Sequence, residues 1–81
     1  MIYINLKTST AVCAPGGTSV FVPNTRFKKL IQVSKEGVIY DLKQTNPTAG
    51  TRQVRPTLNS GFFLFGDPFN SGERVTVKYI E

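Results

Sequence analysis

The chain has 81 residues, with ten Lys and Arg against five Asp and Glu, which gives a net charge of +5 at pH 7. A chain of this length forms one domain with a thin core, and burial against a partner subunit would add to its stability. It contains no His, the side chain that most often serves as an acid–base catalyst near neutral pH and as a metal ligand. We therefore expect a protein that is not an enzyme and that binds no metal, cofactor or small-molecule substrate.

The positive charge is compatible with nucleic acid and with acidic protein partners, and it does not select between them. The single Cys13 excludes a disulfide within the chain, and without a His to activate it this residue is predicted to be a small buried hydrophobe. No segment approaches the roughly 20 apolar residues of a membrane-spanning helix. The first residues also lack the pattern of a signal peptide. We therefore expect no membrane association and, by default, a cytoplasmic location.

The first predicted strand covers residues 2 to 7, where apolar and polar side chains alternate with period 2. Residues 15 to 17, Pro-Gly-Gly, predict a turn. Residues 18 to 22 then predict a short edge strand, which ends at Pro23 because proline cannot donate to a strand ladder. Residues 8 to 25 carry no charged side chain, and we interpret them as an extended arm or an edge region of the domain.

Residues 25 to 42 permit two interpretations. The spacing of Phe27, Leu30 and Ile31 fits one face of a short helix that Gly37 would end. Residues 34 to 37 instead resemble a type I turn followed by a glycine with positive φ, which commonly joins the strands of a hairpin. We favour the hairpin, with a second strand up to Leu42, and keep a short helix followed by a strand as the alternative.

The rest of the chain predicts further short strands. After a polar loop over residues 43 to 51, residues 52 to 55 predict a brief strand before Pro56. Residues 62 to 65 are all apolar, which indicates a strand covered on both faces, and residues 74 to 80 alternate regularly. Six or seven short antiparallel strands predict an all-β fold, a small β-sandwich or barrel that forms a single domain over residues 1 to 81.

The phenylalanines suggest a contact surface. Four of the six lie between residues 62 and 69, and a thin domain has limited interior for the side chains of both faces of one strand. The excess is a candidate subunit interface. The candidate interface consists of Phe62, Phe63, Phe65, Phe69, Val20 and Phe21.

The positive side chains suggest a second surface. The candidate basic face consists of Arg26, Lys28, Lys29, Arg52 and Arg55. If a ring such as that of Tyr40 or Phe27 lay exposed beside it, nucleic-acid bases could stack there. Lys and Arg on edge strands also prevent uncontrolled strand pairing, which is a sufficient reason for their presence.

The acidic side chains give no sign of catalysis. The five are Glu36, Asp41, Asp67, Glu73 and Glu81. Three of them lie in or beside predicted turns, where they would be solvated. Nothing in their spacing indicates two carboxyl groups that converge in one pocket with separated pKa values.

The end of the chain resembles a known class of proteins. Residues 61 to 69, GFFLFGDPF, and residues 71 to 79, SGERVTVKY, resemble the closing strands of small all-β bacteriophage virion proteins, namely decoration, head-joining and tail components. The resemblance covers about the last quarter of the chain. It implies a non-enzymatic structural subunit that packs against copies of itself or a larger capsid or tail protein. The location would be the virion, after synthesis in the host cytoplasm.

The alternative function is a small basic module that binds single-stranded nucleic acid through a β-barrel. It would use the candidate basic face, and its affinity would fall steeply with salt. The two hypotheses differ in the partner, protein in the first and nucleic acid in the second.

Overall fold

The computed structural model describes residues 6–23, 29–57 and 61–80. The strands are β1 (Leu6–Val12), β2 (Ser19–Phe21), β3 (Lys29–Lys35), β4 (Val38–Ile39), β5 (Asp41–Leu42), β6 (Gln53–Thr57), β7 (Phe62–Phe65) and β8 (Arg74–Ile80). They form two four-stranded sheets, the first in the order β1-β8-β3-β4 and the second in the order β2-β7-β6-β5. The predicted all-β fold is confirmed, with eight strands over the described residues. None of these residues forms a helix long and apolar enough to cross a membrane.

The two sheets enclose one apolar core. In β8, Val75, Val77 and Tyr79 are buried and alternate with more exposed residues, as the period-2 pattern predicts. In the second sheet, Phe63 in β7 and Val54 in β6 are fully buried. All of these side chains belong to a single cluster, which makes the fold a sandwich with its core between the sheets.

The sequence prediction for β7 is wrong on one face. The strand was expected to be covered on both sides, but only Phe63 and Phe65 are buried, whereas Phe62 is 50% exposed and Leu64 is partly exposed. In the described part of the chain the second sheet is covered on its inner face only. The outward side chains of β7 are therefore in contact with solvent.

Residues 8 to 23 lie at the edges of both sheets. β1 pairs antiparallel with β8 over its whole length, from Leu6 opposite Ile80 to Val12 opposite Arg74. β2 pairs with β7 at the edge of the second sheet. This part of the segment forms edge strands and is not a free arm. The predicted strand over residues 2 to 7 overlaps β1 only at its end, and residues 2 to 5 lie outside the described residues.

The β3–β4 hairpin confirms the strand interpretation over residues 29 to 39; the start of the alternative helix lies outside the described residues. Lys35 pairs with Val38, which leaves two residues in the loop. Both have positive φ, 50° at Glu36 and 80° at Gly37. This is the geometry of a two-residue type I′ turn, which matches the twist of the strands it joins. The predicted type I turn is wrong, whereas the positive φ predicted for Gly37 is confirmed.

At Tyr40 the chain crosses from the first sheet to the second. β4 pairs with β3, whereas β5 pairs with β6 in parallel, through Asp41 opposite Gln53 and Leu42 opposite Val54. The strand predicted over residues 38 to 42 is therefore two short strands in different sheets. The expectation that all strands pair antiparallel is wrong for β5 and β6.

β6 continues through Pro56, where the sequence predicted a break. β5 pairs only with Gln53 and Val54, while the pairing of β6 with β7 extends to Thr57. At Pro56, β6 is thus at the edge of the sheet. An edge position tolerates the missing N–H of proline.

Candidate functional site

A buried lysine lies at one end of the sandwich. Lys35, the last residue of β3, is 4% exposed, although lysine is almost never fully buried unless it is paired. Its position follows from strand alternation, because Val33 and Lys35 are buried on the same side of β3 and Ser34 lies between them on the other. The strand thus carries a positive charge into the end of the apolar core.

Two carboxylates converge on this ammonium group. Nζ of Lys35 lies 3.1 Å from Oδ2 of Asp67 and 3.6 Å from Oε1 of Glu73. Asp67 follows β7 of the second sheet, and Glu73 immediately precedes β8 of the first. The hydroxyl of Tyr40, at the crossing between the sheets, donates a 2.6 Å hydrogen bond to Oδ2 of Asp67. Groups from both sheets therefore meet at Lys35.

Three aromatic rings enclose the charged end of Lys35. Its Nζ lies 5.4 Å from the ring centroid of Tyr40, 5.9 Å from that of Phe65 and 5.2 Å from that of Phe69. Tyr40 and Phe69 both pack edge-on against Phe65, with centroid distances of 5.0 and 5.2 Å. At these distances the ring faces attract a cation. The rings therefore shield the ammonium group from water and also stabilise its charge.

Burial and pairing act in opposite directions on the two principal charges. Burial, the largest single influence, lowers the pKa of Lys35, but the interactions with Tyr40 and Asp67 together outweigh it and leave that pKa above its usual value. Burial likewise raises the pKa of Asp67, whereas the hydrogen bonds with Tyr40 and Lys35 and the lysine charge leave it below its usual value. Both groups are therefore charged at neutral pH.

The neighbours of Asp67 fix its position and its protonation. Burial and the adjacent Asp67 carboxylate raise the pKa of Tyr40, so its hydroxyl remains a donor. A Cβ at Gly66 would lie 2.5 Å from the carbonyl oxygen of Thr48 and 2.7 Å from that of Thr51. Only glycine allows this close approach of the backbones. The second oxygen of Asp67, Oδ1, is buried and accepts no hydrogen bond from the described part of the chain.

Cys13 lies near this cluster but takes no part in it. It is a free, buried cysteine, as the sequence predicts, and its backbone N–H donates to the carbonyl of Glu73. Burial is the main reason that its pKa is raised, which makes the thiol a poor nucleophile. Across residues 6–23, 29–57 and 61–80, no three Cys, Asp or Glu side chains are grouped so that they could hold a metal ion.

The structure divides the candidate interface into a buried and an exposed part. Four of the six residues are buried in the core of the chain itself, so they are not accessible to a partner in this fold: Val20, Phe63, Phe65 and Phe69. The other two, Phe21 and Phe62, are 52% and 50% exposed. They pair across β2 and β7 with their ring centroids 5.3 Å apart. We call these two residues the exposed aromatic pair.

The candidate basic face is not brought together by the fold. Arg26 and Lys28 lie outside the described residues. Lys29 begins β3 in the first sheet, whereas Arg52 and Arg55 lie just before and within β6 in the second sheet. Arg55 is exposed and lies opposite Leu64, on the outer face that also carries Phe62. The described positive charges are thus split between the two sheets.

Sequence reasoning missed the lysine site. The sequence predicts that Asp67 and Glu73 are solvated residues in or beside turns, and that Lys35 lies within the turn over residues 34 to 37. The signal that could have revealed it is the alternation of Val33 and Lys35, which assigns both side chains to the same face of β3.

Comparisons with protein-family models, with curated proteins and with solved structures give no match.

Proposed function

We propose that this chain is a non-enzymatic structural subunit that packs through the outer face of its second sheet against copies of itself or a larger capsid or tail protein of a phage particle. The observation that carries the proposal is the exposed aromatic pair. Two phenylalanine rings lie in contact with each other on the surface, each about half exposed. Burying a fully exposed ring contributes roughly 1.5 to 3 kcal/mol, so covering the exposed half of each of these rings would contribute roughly 0.8 to 1.5 kcal/mol.

The exposed aromatic pair is held in place by the backbone beneath it. Gly61 has a φ of 75°, and a Cβ at this position would lie 2.9 Å from the ring of Phe21. Glycine is therefore needed at position 61, both for its positive φ and because a Cβ there would collide with the Phe21 ring. A patch that is ordered before binding loses less side-chain entropy when a partner covers it, which favours association.

The interior charges support a structural role over a catalytic one. The ammonium group of Lys35 is buried and is paired with the carboxylate of Asp67, whose side chain is 28% exposed, so its charge is held by groups of the chain itself. The choice of a phage particle follows from the resemblance of residues 61 to 79 to closing strands of small virion proteins.

Binding of single-stranded nucleic acid is the second candidate function. One observation favours it, namely that the exposed Arg55 lies on the same outer face as Phe62. Bases can stack on surface rings while arginine contacts the phosphates. The exposed aromatic pair would serve either partner, so the two functions need separate measurements.

Light scattering coupled to size-exclusion chromatography tests the first function. We expect the measured mass of the wild-type chain to rise with protein concentration until it reaches that of a discrete oligomer. The double variant Phe21→Ser/Phe62→Ser should keep the mass of a monomer. Val12→Ser is the control, because Val12 is also an exposed apolar residue, at 61%, but lies in the first sheet. A wild-type chain that stays monomeric at every concentration would contradict self-assembly.

Fluorescence titration with a labelled single-stranded oligonucleotide at low salt tests the second function. Binding that falls steeply with salt and is weakened by Arg55→Ala would favour the nucleic-acid module. A flat titration would eliminate it. Thr57→Ala, a change in the same strand that leaves the charge unaltered, is the control.

A further inference from the structure

We propose that the side chains of Lys35 and Asp67 form an intramolecular amide bond that covalently links the two sheets, with Glu73 as the proton carrier. The ion pair in the structure is the arrangement of the reactants before the bond forms. This proposal is independent of the partner that the chain binds.

The geometry brings the reacting groups into contact. Nζ of Lys35 lies 3.1 Å from Oδ2 of Asp67, which is one bond from the carbon that the amine would attack. Groups held about 3 to 3.5 Å apart react as if at very high effective concentration. The end of β3 holds one reactant, and the close approach at Gly66 holds the loop that carries the other. Neither side chain needs to move far.

The surroundings favour loss of water from this pair. Three rings surround Nζ, and Lys35 is almost wholly buried. Although pairing keeps both groups charged at rest, burial is the largest single influence on each and acts against both charges. Formation of the amide replaces these two charges, each of which burial disfavours, with one neutral group. The neutral pair, an amine and a carboxylic acid, is the form that reacts.

The remaining polar groups supply the proton transfers. The carboxylate of Glu73, 3.6 Å from Nζ, accepts a proton from the ammonium group. The neutral amine then attacks Cγ of Asp67, and the Tyr40 hydroxyl donates a hydrogen bond to Oδ2 as the bond between Cγ and Oδ2 breaks. Oδ2, which contacts both Nζ and the Tyr40 hydroxyl, is the oxygen that takes up protons and leaves, whereas Oδ1 stays as the carbonyl oxygen of the amide.

The step is balanced without any other reactant. The C–N bond forms and the bond between Cγ and Oδ2 breaks. Of the three ammonium hydrogens, one remains on the amide nitrogen and two leave with Oδ2 as water. Glu73 returns the proton that it accepted and is unchanged. Nothing is oxidised or reduced, and the product is one amide and one water molecule.

Intact mass spectrometry of the denatured chain tests the bond directly. We expect the wild-type chain to be lighter than its sequence mass by one water molecule, whereas Lys35→Arg and Glu73→Gln retain the full mass. Arginine keeps the charge but its guanidinium stays protonated and does not attack the carboxyl group. Glu73→Gln removes the proton carrier and its negative charge but keeps a side-chain oxygen that can accept the hydrogen bond from the Asn70 backbone N–H. A wild-type chain that keeps its full mass after prolonged incubation overturns the proposal.

Trypsin digestion locates the bond. An acylated Lys35 resists cleavage, so residues 30–43 and 53–74 should appear as one branched peptide in the wild-type digest. The same two segments should separate in Glu73→Gln, with cleavage after Lys35. A loss of water that maps to other residues, or that persists in Glu73→Gln, would also overturn the proposed reaction.

Discussion

Lys35 ends β3 of the first sheet and Asp67 lies in the loop after β7 of the second, yet the charged atoms of their side chains lie 3.1 Å apart. The pair joins the end of β3 to the loop after β7 and so connects the two layers of a thin domain. Within residues 6–23, 29–57 and 61–80, Lys35 is the one cation that forms an ion pair with Asp67. The Asp67 carboxylate therefore depends on this lysine and on the Tyr40 hydroxyl.

Removal of Lys35 alone should leave a partly buried charge unpaired. We expect Lys35→Met to be less stable than Lys35→Met/Asp67→Asn by about 2 kcal/mol, below the roughly 3 to 5 kcal/mol of fully buried pairs because the Asp67 side chain is 28% exposed. Urea unfolding at pH 7 measures the difference. Both variants lack the amine, so the comparison does not depend on an amide bond. Equal stability would show that Asp67 is adequately solvated without the lysine.

Two neighbouring phenylalanines in β7 should differ sharply in their contribution to stability. Phe63 is fully buried, whereas Phe62 is 50% exposed and contacts mainly Phe21. We expect Phe63→Ala to cost about 3 to 5 kcal/mol through the cavity it leaves. Phe62→Ala should cost about 1 kcal/mol, the size of an aromatic pair interaction.

Thermal and urea unfolding of both variants check this contrast. Phe62→Leu is the control for Phe62→Ala, because it keeps an apolar side chain at the surface and removes only the ring. Similar losses for the two alanine variants would mean that the outer face of the second sheet is covered in solution. In that case the measurement should be repeated at a concentration where the chain is a monomer.

The sequence predicts the core of this fold better than its surface. The alternation in β8 correctly assigns its buried side chains, because period 2 is a direct consequence of strand geometry. The same rule assigns Phe62 and Phe63 to opposite faces of β7 but cannot say which face a second layer covers. That depends on how the sheets stack, which is a property of the whole chain.

The lysine site shows where prediction from sequence ends. Lys35 lies next to a turn, and lysines beside turns are usually solvated. Its burial depends on Asp67 and Glu73, which lie far along the chain and reach it only because the chain crosses between sheets at Tyr40. The alternation of residues 38 to 42 predicts one continuous strand. A local sequence pattern does not reveal the crossing at Tyr40. Without the crossing, the sequence gives no indication that Lys35, Asp67 and Glu73 lie close together.

Two glycines should respond differently to substitution by alanine. Gly37 has a φ of 80° with open space where a Cβ would lie, so Gly37→Ala should cost only the backbone strain, about 1 to 2 kcal/mol. At Gly66 the new Cβ would meet two backbone oxygens. Because backbone must shift, we expect Gly66→Ala to cost about 3 kcal/mol.

Urea unfolding compares the two variants, and Gly72→Ala serves as a second open, positive-φ position. The mass of Gly66→Ala adds an independent readout, since a displaced Asp67 should also slow amide formation. A smaller loss at Gly66 than at Gly37 would contradict the close approach of the loop around Thr48 to the residue before Asp67.

The pH dependence of stability should report whether Asp67 is free or linked. In Glu73→Gln the pair stays unlinked, and the pKa of Asp67 in the folded chain is lowered by its partners, although burial opposes this. A lowered folded pKa contributes stability that is complete above the unfolded value of about 3.9 and is lost as the pH falls through the folded value. Glu73→Gln should therefore lose stability below about pH 4 more steeply than Glu73→Gln/Asp67→Asn.

Below about pH 4, which we call the acid limb, the stability of the wild-type chain should change with pH as it does in Glu73→Gln/Asp67→Asn. The reason is that an Asp67 carboxyl group that has formed an amide no longer titrates. The Lys35 contribution has the opposite sign: its folded pKa is raised, so its stabilisation is complete below the unfolded value of about 10.4 and is lost as the pH rises through the folded value. Urea midpoints between pH 2 and 7, followed by circular dichroism, measure the acid limb. Identical acid limbs for Glu73→Gln and its Asp67→Asn derivative would show that Asp67 gains nothing from Lys35 in the folded state.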